Sequence, residues 1–125
     1  MKKPNEINIG GVVYKITYTK DRVKTDLDKR SQLWGQICYH TRTIRVFEGE
    51  NDHTRQPIDQ FHVLLHEVIH GIIRQHEFLE HCIKDRDSEE VIVDQIASVL
   101  SDTLVRNGWF NLDDWDGTPK KARGK

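Results

Sequence analysis

The chain contains no uninterrupted apolar run longer than three residues, as in Val63-Leu64-Leu65 and Val91-Ile92-Val93. A bilayer-spanning helix needs about 20, so the expectation is a protein that does not insert in a membrane. Cysteine is scarce. Cys38 and Cys82 stand alone without C-x-x-C spacing, which excludes a disulfide framework and fits a reducing, cytoplasmic compartment. The opening MKKPNEINIGG has two lysines but no apolar segment behind them, so no secretory signal is expected. An excess of one charge is also missing: 19 Lys and Arg against 20 Asp and Glu leave a net charge of −1. Such a balance creates no field to attract nucleic acid. The local exception is the terminal TPKKARGK, read as a solvated basic tail.

What remains is a chain of 125 residues, 36% hydrophobic and 31% charged, enough for one core that buries roughly two-thirds of the unfolded surface. The expected organisation is one domain over 1–116 and a disordered basic tail over 117–125. INIGGVVYKITYT reads as a hairpin turning at Gly10-Gly11, with Tyr14, Ile16 and Tyr18 on one face of its second strand. Charged residues over 21–30 read as an exposed excursion. GQICYH and TIRVF form a second hairpin, and 48–56 is polar enough to be a loop. Pro57 suits the first turn of a helix, along which Phe61, Leu65, Val68, Ile69 and Ile72 recur at helical spacing. A linker over 77–87 leads to a second long helix over 88–106, capped by Asp87 or Ser88 and stopped by Asn107-Gly108. Its apolar residues surround most of the axis, which predicts burial against more than one element. Trp109, Phe110 and Trp115 are expected to pack on the core. Strands first and helices after argue an α+β fold, its N-terminal sheet antiparallel and made of the two hairpins.

The chemistry is concentrated in His66-Glu67-Val68-Ile69-His70. On a helix, residues four apart share a face with Cβ atoms about 5–6 Å apart, so both imidazoles can reach one ion. Glu67, rotated by about a quarter turn, can reach a water beside that ion. This division of labour is the physical content of H-E-x-x-H. A catalytic zinc needs a third protein ligand. Glu90 on the second helix is the preferred third, with Glu89 as fallback. Asp94, four residues on, can accept the proton of a ligating histidine's far nitrogen. His76 offers a different third, but that geometry needs a helix-breaking glycine at position 73, where the chain has isoleucine. His62 reads as helix surface, and His40 and His53 as loop histidines.

The motif, the gap and EEVIVD resemble the gluzincin metallopeptidase pattern of H-E-x-x-H followed by Glu-x-x-x-Asp. From Ile7 to Phe110 the layout is similar to the small zincin-like proteins of phages and prophages, and to ImmA/IrrE-type peptidases. The resemblance implies a zinc-dependent peptidase with His66, His70 and Glu90 on one zinc ion per chain, Glu67 as catalytic base and Asp94 orienting a histidine. It also implies a donor to the developing oxyanion, for which His81, Tyr39 and His40 are candidates. A peptide substrate would lie along a sheet edge made by Gln36, Ile37, Cys38, Tyr39 and His40. The phage likeness adds a repressor or host protein as the substrate, in the host cytoplasm. The competing expectation is a metal-stabilised accessory or binding protein without turnover.

Overall fold

Eight strands precede three helices: β1 (Glu6–Ile9), β2 (Val12–Thr19), β3 (Val23–Lys24), β4 (Gln32–Leu33), β5 (Gly35–Cys38), β6 (Thr43–Phe47), β7 (Gly49–Glu50), β8 (His53–Thr54), α1 (Pro57–Gln75), α2 (Glu77–Cys82) and α3 (Arg86–Arg106). The structure is a computed structural model and describes residues 1–20, 23–24, 32–50 and 53–117. The α+β order is as expected from the sequence. Most of the 21–30 excursion and the tail over 118–125 lie outside the described residues.

Both hairpins form. β1 and β2 pair antiparallel around Gly10-Gly11, and β5 pairs antiparallel with β6. The four-stranded sheet is nevertheless mixed, not antiparallel throughout: its order is β1-β2-β6-β5, and β2 runs parallel to β6 with Ile16 opposite Ile44 and Tyr18 opposite Val46. Hairpin patterning sets only the local partner of each strand. Burial decides which strand of one hairpin docks on the other. β6 carries the fully buried Ile44 and Val46 and takes the centre, leaving the half-buried β5 at the edge. The polar stretch over 48–56, expected as a loop, contains the short antiparallel pair β7–β8.

α1 starts with Pro57 in its first turn and has two buried sides. Phe61, Leu64 and Val68 pack with Ile9, Tyr14, Ile16, Ile44 and Val46 of the sheet, while Ile69 and Ile73 pack with Val93 and Ala97 of α3. The helix is thus the middle of three layers. Gly71 explains how close it lies to the sheet: a Cβ there would come within 2.8 Å of Ile9 Cδ1 and 3.2 Å of Ile37 Cδ1. This glycine serves packing, and α1 continues through it to Gln75.

α3 departs from expectation in two ways. Its cap is Asp85, whose Oδ1 accepts a bond from Ser88 N at 2.8 Å, so the helix begins at Arg86. The linker before it contains the short α2. More consequentially, α3 buries only Val93, Ala97 and Ser101, while Val91, Ile96 and Val99 are 63%, 47% and 65% exposed. The sheet is already covered by α1, so α3 has α1 as its main described neighbour and turns its remaining apolar residues to solvent. Val99→Lys should therefore change the unfolding free energy by no more than about 0.5 kcal/mol. A larger loss in urea titration would contradict this open face.

The C-terminal segment closes the core with Leu112 and Trp115. Trp115 is fully buried, edge-on to Tyr18 and Phe61, and its Nε1 donates to Gln60 Oε1 at 2.8 Å. Gln60 in turn donates to the Arg55 carbonyl at 2.9 Å, so both buried polar groups are satisfied. The expected packing of Phe110 is seen against Phe61, with ring centroids 5.5 Å apart, but Trp109 is 76% exposed. Removing the indole leaves a cavity and an unpaired buried amide, so Trp115→Ala should cost about 3–5 kcal/mol by denaturant titration. A cost near 1 kcal/mol would show that the segment does not pin the core.

Candidate metal centre

α1 and α3 run antiparallel, and their facing turns bring His62 toward Asp94, His66 toward Asp94 and Glu90, and His70 toward Glu90 and Glu89. His66 Nε2 and His70 Nε2 lie 3.2 Å apart. Glu90 closes the triangle, with Oε1 2.9 Å from His70 Nε2 and Oε2 3.3 Å from His66 Nε2. These three side chains form a group that could hold a metal ion.

The carboxylates around the triangle set which imidazole nitrogen faces it. His70 Nδ1 donates to Glu89 Oε2 at 2.5 Å. With Nδ1 held there, the ring turns Nε2 toward the triangle, the nitrogen a ligand would use. Asp94 Oδ1 lies 3.5 Å from His66 Nδ1, an ionic contact rather than a hydrogen bond. Glu89, considered in sequence as a replacement for Glu90, thus sits behind His70. Glu89 and Glu90 are adjacent on a helix and differ by about 100° in direction, and the rotation of α3 against α1 sends them to different nitrogens.

The surrounding carboxylates favour positive charge on the two imidazoles. Burial works against a charge on His70, but bonds to Glu90 and Glu89 outweigh it and push its pKa up to about 9. His66 moves up for the same reason, with the Glu90 bond overcoming burial. The two imidazoles hold Glu90 far below the usual carboxylate range. An ion held there would have to displace protons from the imidazoles.

Glu67 is not one of the three donors. It is 7% exposed, and burial pushes its pKa up to about 7 against the pull of His66 and His70. It lies against β5 at Gly35, where a Cβ would come within 2.5 Å of Val63 Cγ1 and 3.2 Å of Glu67 Oε2. Only glycine lets the edge strand approach this carboxylate so closely. Gly35→Ala should cost about 1–3 kcal/mol through overpacking and displace Glu67. An unchanged melting temperature would refute the close approach.

A cavity of about 990 Å³ opens in front of these residues, lined by Gln36, Ile37 and Tyr39 from the sheet side and by His62, His66, Glu67 and His70 from α1. Of the expected edge segment, β5 ends at Cys38, and neither Cys38 nor His40 is among the lining residues. Tyr39 donates its hydroxyl to the His70 carbonyl at 3.3 Å, and burial, then Glu89 and Glu67, push its pKa up to about 12. His81 is exposed on α2 and does not line the cavity. His76 caps the end of α1, outside the metal-capable group. His62 lines the cavity 3.7 Å from Asp94 and is not in the group of three. Sequence reading passed over Arg74 and Arg86, which also line the cavity. Their signal was positional: Arg74 follows His70 by one turn, and Arg86 precedes Glu90 by one turn.

No protein-family model, curated protein or solved structure matches this chain.

Proposed function

We propose that the protein is a zinc-dependent metallopeptidase in which His66, His70 and Glu90 hold one zinc ion and Glu67 is the general base. The observation that carries the reading is the donor group: the two Nε2 atoms are 3.2 Å apart, and the two Glu90 oxygens lie 2.9 Å from one and 3.3 Å from the other. A tetrahedral ion with bonds of about 2.0–2.1 Å has its ligands about 3.3–3.4 Å apart, so little movement is needed to seat one. Two imidazoles and a carboxylate, without thiolate, suit zinc. The metal-capable group stops at three among the described residues, as in catalytic sites rather than structural ones closed by four.

A bound zinc supplies Lewis acidity and makes a water acidic enough to ionise near neutral pH. The remaining work falls to the chain itself. Glu67 removes the proton as the water oxygen adds to the peptide carbonyl carbon, then passes it to the nitrogen as the C–N bond breaks. β5 is an edge of the four-stranded sheet among the described residues, and its backbone can align an extended peptide across the cavity without reading its side chains. The test is metal analysis together with cleavage of a degenerate peptide library, with zinc and with chelator. One zinc per chain and chelator-sensitive cleavage are expected. Bound zinc without cleavage of any peptide would favour the accessory-protein alternative.

A further inference from the structure

The arginines at one end of the cavity bear on which peptides this site would accept. Because α1 and α3 are antiparallel, one turn forward from His70 and one turn back from Glu90 lead to the same end. Arg74 and Arg86 stand there, and both line the cavity. Arg74 places its guanidinium 4.9 Å from the centroid of the Tyr39 ring, which holds it over the cavity wall. The nearby carboxylates are already engaged. Glu89 accepts from His70, Glu90 bridges both ligand histidines, and Asp94 lies between His62 and His66. Glu80 also lines the cavity, yet no ion pair joins it to either arginine among the described residues. Both arginines thus line a concave space, and no carboxylate is ion-paired to either among the described residues. Elsewhere on the cavity wall Arg55 is likewise stacked, 4.2 Å from the centroid of the Trp34 ring.

We propose that Arg74 and Arg86, backed by Tyr39, form a carboxylate-binding subsite, so that this protein selects peptides with an acidic side chain or a free C-terminal carboxylate beside the scissile bond. The subsite rests on the metallopeptidase reading for its place next to the reacting carbonyl. Its distance is suitable: one helical turn is about 5.4 Å, and an extended peptide rises about 3.3 Å per residue. A carboxylate one or two residues from the reacting bond reaches that far. Guanidinium is the natural receptor because its planar fork takes a carboxylate through two parallel bonds.

The test reads binding rather than turnover. Peptide hydroxamates, which grip zinc, would be titrated into the zinc-loaded protein in matched pairs: Asp against Asn, both C-terminally amidated, and Leu with a free carboxylate against Leu amide. The carboxylate member of at least one pair should bind roughly 10-fold tighter, the effect of a charged hydrogen bond, and the advantage should shrink in high salt. The pair showing it identifies the source as an acidic side chain or a chain terminus. In Arg74→Gln/Arg86→Gln the ratio should fall to about 1 while affinity for the neutral member stays unchanged. Equal binding within both pairs in the wild type, or a preference that survives the double substitution, overturns the subsite. A preference without cleavage of any peptide removes the peptidase reading and leaves the subsite standing. Absence of zinc, with no hydroxamate binding, removes both.

Discussion

Glu67→Gln is expected to keep zinc binding within a few-fold of wild type while lowering peptide cleavage by about 10²–10⁴, the usual contribution of a general base. Glutamine preserves volume and polarity at a site that is 7% exposed, and it brings no charge to desolvate, so the variant should fold. The carboxylate is not one of the three metal-capable donors and sits between α1 and Gly35. Its loss should therefore appear in kcat and leave metal occupancy alone. Turnover on the best peptide of a library, beside zinc content by mass spectrometry, separates the two quantities. Equal rates for wild type and variant would remove Glu67 as the base. A loss of zinc in step with activity would place it among the ligands.

Glu90→Ala carries the second large effect. It removes one corner of the donor triangle and leaves two imidazoles that cannot hold a catalytic zinc by themselves. Its affinity loss, measured by competition with a chromogenic chelator, should exceed that of Glu89→Gln and Asp94→Ala. Those two act through a hydrogen bond to His70 and a longer ionic contact with His66, and losses of about 10–100-fold are usual for such partners. His76→Ala should change nothing, since that residue ends α1 away from the triangle. Loss of metal in His76→Ala with retention in Glu90→Ala would assign the third ligand to His76. If Glu89→Gln proved as damaging as Glu90→Ala, the two neighbouring glutamates would have exchanged roles.

Local patterning by itself determined much of this protein. Helical periodicity after Pro57 places His66 and His70 on one face, because residues four apart on any α-helix are neighbours. Gly10-Gly11 between alternating strands determines the first hairpin, and Asn107-Gly108 the end of α3. These are short-range effects, and the chain carries their whole cause. Tertiary structure decided what depends on orientation between elements. The docking of β6 beside β2 made the sheet mixed, since burial of Ile44 and Val46 outranks hairpin order. The layering of sheet, α1 and α3 left Val91, Ile96 and Val99 in solvent, although their pattern alone matches a buried helix. The rotation of α3 on α1 sent Glu90 to the triangle and Glu89 behind His70, a distinction adjacent residues cannot make in sequence. Antiparallel packing of those helices also brought Arg74 and Arg86 to one end of the cavity. Periodicity fixes the face of a helix on which a residue lies, but only packing fixes what that face meets.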